Sequence, residues 1–326
     1  MTIFRVVAAA SAVVGLCSIA FWACDSESML GSVGRPGTWS LVSVPTTNGF
    51  TVVRGSGPAD VWVAGGDSVW RWDGQNWSSP SGFRMGPGAA FWVNSPTDAW
   101  AGVGQKVAYH WTGTGWVSAL LNDNRVARAL WGSGPSDVWA SDCEAGYLGH
   151  YDGTGWTHLQ SIDNGRAIWG THSGDVWIID AYCIPSSSEP SSIVHGNGIS
   201  GNGTSGYYLA GRDTQFTSPH NLQAIWGSGP SDIWAVGDSG AIVHYDGRAW
   251  TQLAQSPATV TLHGVWGTAA DDIWAVGDGG VILHFDAFGW SKTVSPTTRT
   301  LHAVWGNPSG DVWAVGDSVT VLHLQR

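Results

Sequence analysis

From residue 37 onward, short apolar runs alternate with breaks rich in glycine and aspartate. Leu301 to Gly306 reads LHAVWG and Asp311 to Asp317 reads DVWAVGD, with a polar turn between them. Elsewhere Ala241 to Asp246 reads AIVHYD, a D-G turn follows, and another run opens on Trp250. Alternating apolar runs bounded by tight Gly/Asp turns predict an antiparallel meander.

The meander is repeated. Leu222 to Asp238 (LQAIWGSGPSDIWAVGD), Leu262 to Asp278 (LHGVWGTAADDIWAVGD) and Leu301 to Asp317 are versions of one segment. A Trp two residues after an Asp recurs at Trp62, Trp100, Trp139, Trp177, Trp234, Trp274 and Trp313, in steps of 38, 39, 38, 57, 40 and 39 residues. That makes seven units, with inserted sequence in the fourth. Each unit parses into four strands, lettered A to D: the LHAVWG type, the DVWAVGD type, the AIVHYD type, and a last one opening on Trp. Four short strands in about 40 residues is the blade of a β-propeller. The seventh unit reaches only its strand C, while Gly37 to Val42 reads as an orphan strand D carrying Trp39. The predicted fold is therefore all-β: a seven-bladed propeller over residues 37–326, with four-stranded antiparallel blades. The N-terminal strand completes the last blade, and closing the ring removes exposed sheet edges.

Composition fits this reading. The chain has 23 Trp and 46 Gly but is only 12% charged. Seven Trp fall in strand B, six in strand A (Arg54 takes the seventh place) and six at the start of strand D. Large aromatics repeated at one register are what face-to-face sheet packing requires, so those of strands A and B are read as core. Of the acidic residues 22 are Asp and three are Glu (Glu27, Glu144, Glu189), a bias toward turns over helices. Fourteen basic against 25 acidic residues leave no basic stripe, which excludes nucleic acid as a partner.

The N-terminus reads as an export signal. Arg5 precedes Val6 to Ala23, an uncharged and mostly apolar run, and Cys24 follows at once. Phe21-Trp22-Ala23-Cys24 resembles a bacterial lipobox, which implies cleavage after residue 23 and lipidation of Cys24. An uncleaved membrane anchor is the alternative. Residues 24–36 would then be a lipidated Cys and flexible linker. Either way the body is expected to be extracytoplasmic and tethered at the bacterial envelope, in the outer membrane or at the surface.

Across residues 37–326 the VWAVG–HYDG–W pattern resembles tectonin-type lectins and Trp-rich surface lipoproteins of Gram-negative soil bacteria. It is more distantly similar to BNR and sialidase propellers. The resemblance implies a seven-bladed propeller and leaves activity open, because propellers host many functions.

Four sets of residues invite chemistry. Strand C carries His110, His150, His195, His244, His284 and His323, with Arg71 in blade one. Equivalent residues of adjacent blades lie too far apart for one ion, so each His is expected to bond within its own blade, as in WD-repeat propellers, and no metal site is expected. The seven Asp before strand B (Asp60, Asp98, Asp137, Asp175, Asp232, Asp272, Asp311) are read as scaffold, accepting backbone N–H groups of the A–B turn. Three residues before the strand A Trp stand Arg128, Arg166, Gln223, His263 and His302, with Thr51 and Ala89 in blades one and two. With the B–C turn residues Asp67, Asp142, Asp180, Asp238, Asp278 and Asp317 they could ring a channel mouth. Finally, the repeat breaks in the B–C loops of blades three and four, at Asp142-Cys143-Glu144 to Tyr147 and at Asp180 through Tyr182-Cys183 to Glu189. Cys143 and Cys183, in equivalent places of neighbouring blades of an exported chain, read as a disulfide.

The expected function is non-enzymatic: binding of a cell-surface protein or glycan through the loop face of blades three and four, by a monomer without cofactor. The candidate ligand residues are Arg128, Asp142, Glu144, Tyr147, Arg166, Asp180, Tyr182, Glu189, Gln223, His263 and His302. One alternative is a multivalent tectonin-like lectin stacking sugars on strand D Trp residues. Another is a glycoside hydrolase of sialidase-like type, for which Glu144 and Glu189 are the available carboxylate pair. Against it, the turn is D-G-x-x-W, as at Asp152 to Trp156, and no Arg triad is evident.

Overall fold

A computed structural model describes residues 37–80, 90–103, 107–120, 127–142, 146–159, 164–181, 190–202 and 206–326. The expected signal 1–23, with Cys24 and the rest of the linker 24–36, lies outside the described residues. The body is a seven-bladed β-propeller. Six sheets are four-stranded and the third has six strands. The strand Trp39–Leu41 pairs with Thr320–Leu324, Trp39 opposite Leu324, so the first strand completes the last blade.

Strand B is the centre of each blade. Asp60–Gly65 is buried along its whole length, and so is Val312–Gly316. Burial on both faces explains why strand B reads as a nearly continuous apolar run. Cross-strand register then sets a row on one face. Trp226 stands opposite Trp234, which stands opposite His244. Trp266, Trp274 and His284 repeat that row, as do Trp305, Trp313 and His323.

Adjacent blades meet through aromatic edges. The strand D Trp of one blade stands on edge against the strand B Trp of the blade before it. Trp116 meets Trp62 at 5.8 Å, Trp156 meets Trp100 at 5.5 Å, and Trp290 meets Trp234 at 5.5 Å between centroids. Trp39 meets Trp274 at 5.4 Å, so the closing strand brings its own anchor. Each such pair contributes about 0.5–1.5 kcal/mol beyond the area it buries.

Blade four departs from this plan. Between its strand C (Ser191–Gly196) and strand D (Asp213–Ser218) a hairpin intervenes, formed by Ile199–Asn202 and Gly206–Leu209. The segment Gly198 to His220 thus contains the fourth strand D, unmarked because it lacks the opening Trp. The hairpin pairs parallel with the outer strand of blade three, Leu159 opposite Tyr207. Leu209 is buried in one cluster with Trp139, Leu148 and Leu159. It lies over Gly196, which stands where five other blades carry Trp, Tyr or Phe and the seventh carries Leu324. The hairpin therefore fills the one blade junction whose aromatic pair is missing.

The W-G step of strand A has a steric cause. Five of the six strand A Trp rings lie against the glycine of the following blade's strand A, while the Trp266 indole N–H donates to the Gly306 carbonyl at 2.9 Å. A Cβ on Gly170 would lie 2.9 Å from Trp131, and one on Gly227 2.6 Å from Trp169. Gly55 faces Trp305 in the same way. Blade two alone has Val93 at this position, and the blade before it alone has Arg54 in place of Trp. The glycine is absent only where no Trp presses on it.

Gly227→Ala is accordingly expected to destabilise by about 2–3 kcal/mol in urea titration, since the ring and the Asp232 carbonyl box the site in. Gly229→Ala, with open space around it, should change stability by less than about 0.5 kcal/mol. Equal effects would refute the steric account.

Candidate functional site

Strand A of every blade lines a central channel, which holds a cavity of about 470 Å³. Its mouth is built from β-bulges. The pairing of strands A and B shifts register at Arg166, Gln223, His263 and His302. A bulge re-aims a side chain that would otherwise alternate away, so these residues and the small residues after them all line the channel.

The mouth is a ring of polar pairs. Arg128 reaches Asp142 at 3.5 Å, Gln223 donates to Asp238 at 2.9 Å, His263 meets Asp278 at 2.8 Å, and His302 meets Asp317 at 2.8 Å. Arg166 turns sideways and donates to Gln223 of the next blade. Burial lowers the Arg166 pKa, and the charge of Asp238 opposes that shift. Asp180 accepts the Asn164 backbone N–H at 3.1 Å and lies 3.5 Å from Arg212, just beyond the inserted hairpin. The structure thus brings Arg128, Arg166, Gln223, His263 and His302 to one mouth, with Asp142, Asp238, Asp278 and Asp317 as their partners. Asp67 is exposed.

Tyr147 does not join them. It heads strand C of blade three, is fully buried, and packs in the core between blades two and three. Its place beside the irregular loop suggested a surface role, but its strand position turns it inward. Cys143, Glu144, Tyr182, Cys183 and Glu189 lie outside the described residues.

Below the mouth the channel changes character. The next layer is small and apolar, including Val52, Ala129, Ala167, Ala224, Gly264 and Ala303. The layer after that holds the strand A Trp residues and Arg54, roughly 10 Å below the mouth at about 3.3 Å per residue. The Arg54 guanidinium lies 5.4 Å from the centroid of the Trp266 ring, from a blade two places away around the ring. It donates to the Val53 carbonyl at 2.9 Å and forms no ion pair among the described residues. Desolvation lowers its pKa to about 10, so it stays charged at neutral pH. Among the described residues that line this cavity there is no carboxylate. Sequence reasoning registered Arg54 only as a missing Trp. The available signal was its charge at a position that should face the ring axis.

The histidine and aspartate series meet at the opposite end of strand B. His110 Nε2 lies 2.6 Å from Asp98, His244 2.7 Å from Asp232, and His323 3.1 Å from Asp311, each within one blade. In blade one Arg71 donates to Asp60 at 2.8 Å. The other carboxylate oxygen accepts from a residue four positions earlier, such as Ser56, Thr171 or Asn94. The strand B indole donates as well, for example Trp62 to Asp60 at 2.9 Å and Trp177 to Asp175 at 3.0 Å. Side chains thus supply the donors expected from turn backbone. The two blades with Asn in place of Ser or Thr are those whose indole N–H, on Trp100 and Trp313, has no partner. Five of the six imidazoles also lie flat on their strand B Trp, with centroids 3.9 Å apart for Trp234 and His244, while His150 is tilted by 47° on Trp139. With Nε2 engaged and the ring covered, these His have a scaffold role. Among the described residues no group of three or more His, Cys, Asp or Glu could hold a metal ion.

No family model and no curated protein matches the sequence. Solved structures do. The YCF48 structure bound to a D1 peptide matches with a TM-score of 0.65 at 16% identity, over 90% of this chain and 96% of that one. The WD40 propeller domain of Doa1 matches with a TM-score of 0.67 at 10% identity, over 89% and 97%. The extracellular domain of a two-component system from B. thetaiotaomicron matches with a TM-score of 0.65 at 10% identity, over 89% of this chain and 40% of that one. The likeness is one of fold.

Asp272 shows the strength of the carboxylate network. Burial alone raises its pKa, but bonds from His284, Arg326 and Thr268 outweigh that and hold it well below the usual carboxylate range. Arg326, from blade seven, grips it through two bonds of 2.9 and 2.8 Å and so ties the last blade to the sixth. Asp137 is depressed in the same way, burial being outweighed by His150 and Ser133. A depressed folded pKa means that the stabilisation is complete above about pH 4, the unfolded value. It is lost as pH falls toward the folded value. Urea midpoints should therefore drop as pH falls below about 4. Asp272→Asn should cost about 3 kcal/mol at pH 7, by leaving Arg326 and its neighbours without their anion. It should also flatten the acid limb; an unchanged limb would show that Asp272 does not contribute to it.

Proposed function

We propose that this protein is a non-enzymatic binding propeller of the bacterial cell envelope, exported by residues 1–23 and tethered at Cys24. In this reading it holds a protein or glycan partner at the channel mouth, on the side of blades three and four, as a monomer. The observation that carries it is the mouth itself. Elsewhere the ring repeats the same residue blade after blade, but here it presents Thr51, Arg128, Arg166, Gln223, His263 and His302 in turn. Repetition serves packing, whereas a partner is recognised by an irregular set of donors and acceptors on a rigid frame. A disulfide between Cys143 and Cys183 would brace the two loops beside the arginines, closing about 40 residues and adding about 3–4 kcal/mol.

A propeller with a peptide bound and an extracellular propeller domain among the structural neighbours support this reading. The lectin alternative loses ground because the strand D Trp rings already pack on strand B Trp rings. Trp77 is taken by Trp313 at 5.9 Å and Trp250 by Trp177 at 5.7 Å.

The test uses the full-length chain as bait against envelope proteins, and a glycan array in parallel. Wild type should retain a discrete partner, and Arg128→Gln with Arg166→Gln should lower its recovery about ten-fold or more at unchanged melting temperature. A partner retained equally by both chains would move the binding face elsewhere. Retention of sugars alone, insensitive to these changes, would favour the lectin.

A further inference from the structure

We propose that the central channel is a binding site for a small organic anion, with a carboxylate on the Arg54 guanidinium and an apolar or aromatic body between the alanine-lined walls. The channel has the form of a ligand site: a polar mouth, a band of small apolar residues and an aromatic floor. Its cavity of about 470 Å³ has room for a molecule of a few rings.

The charge is the decisive feature. A seventh Trp would close the floor with nothing to desolvate. Arg54 instead keeps a cation inside, where its one hydrogen bond goes to the neighbouring Val53 carbonyl. Among the described residues the other N–H groups of the guanidinium carry no bond, and a planar fork of this kind matches a carboxylate in bidentate fashion. The carboxylates of the mouth do not serve, because Asp142, Asp238, Asp278 and Asp317 are engaged by Arg128, Gln223, His263 and His302. The neighbouring blade differs at the matching position as well. Val93 occupies the position that is glycine wherever the preceding blade has a Trp. The site does not rest on a macromolecular partner at the mouth, although the mouth residues line the same cavity.

Calorimetric titration of the full-length chain tests this with matched acids and amides: benzoate against benzamide, and indole-3-acetate against indole-3-acetamide. The acids should bind about ten-fold or more tightly than the amides. Acetate, which lacks an apolar body, should bind more weakly than either acid. Arg54→Gln should abolish the preference for acid, and Arg248→Gln, on an exposed turn outside the cavity, should leave it intact. The double variant Arg54→Trp with Val93→Gly completes the repeat. It should melt at or above the wild-type temperature and lose acid binding, which separates loss of the site from loss of the fold. A short hydrophobic peptide, as free acid and as C-terminal amide, shows whether a chain terminus can supply the carboxylate. Equal affinity for acids and amides, absence of binding up to about 5 mM, or a preference that survives Arg54→Gln would each overturn the proposal.

Discussion

One carboxylate per blade holds the architecture together. A carboxylate offers two oxygens and about four lone pairs. In blade four Asp175 spends one oxygen on the Trp177 indole and the His195 ring and the other on Thr171. Those donors come from the end of strand A, from strand B and from strand C, so a single anion sets the A–B turn and the placement of strand C. A buried charge without its partners is costly, so the Asp in turn demands that all three strands be in place. In blade one Arg71 substitutes for His and still meets Asp60, because the requirement is for a donor at that point and not for an imidazole.

The same bond organises contacts between blades. Once Nε2 is held by Asp, the imidazole plane lies over the strand B Trp, as with Trp274 and His284 at 4.0 Å. The fixed indole then offers a surface to the next blade's strand D Trp, and the pattern passes around the ring to Trp39. Where blade four lacks that Trp, Leu209 of the inserted hairpin takes up the space beside Trp139. The insertion is thus a packing element at the junction.

Most of this was legible in the sequence because repetition exposes what each position must do. The Trp spacing, the DG turns and the orphan Trp39 strand each constrained blade count and closure through turn chemistry and edge pairing. Strand D of blade four was not legible, since Asp213–Ser218 carries neither the turn nor the Trp that mark its counterparts. Tyr147 was misjudged for a related reason. Its nearness to an irregular loop said less than its place at the head of strand C. The rim was anticipated as a set, but not the bulges that aim it, because a bulge arises from pairing between strands and leaves no local mark.

The contrast between Trp and Arg54 bears on how a symmetric scaffold acquires a particular site. A position repeated in all blades answers a demand common to all of them, as the Asp series does. A position that differs in one blade answers a demand of that blade alone, and the cost of the difference measures the demand. An Arg in the channel loses hydration that a Trp never needed. Val93 stands where other blades have a glycine beneath a Trp ring, so a Trp at position 54 would be crowded there. The chain as a whole carries a formal charge of -11, so a lone cation on the floor of an aromatic channel runs against its general electrostatic character. Filling space does not require that charge, and neither does holding the blades together. What the charge adds to the channel is a donor array for an oxyanion, in the one region where the ring's seven strands converge.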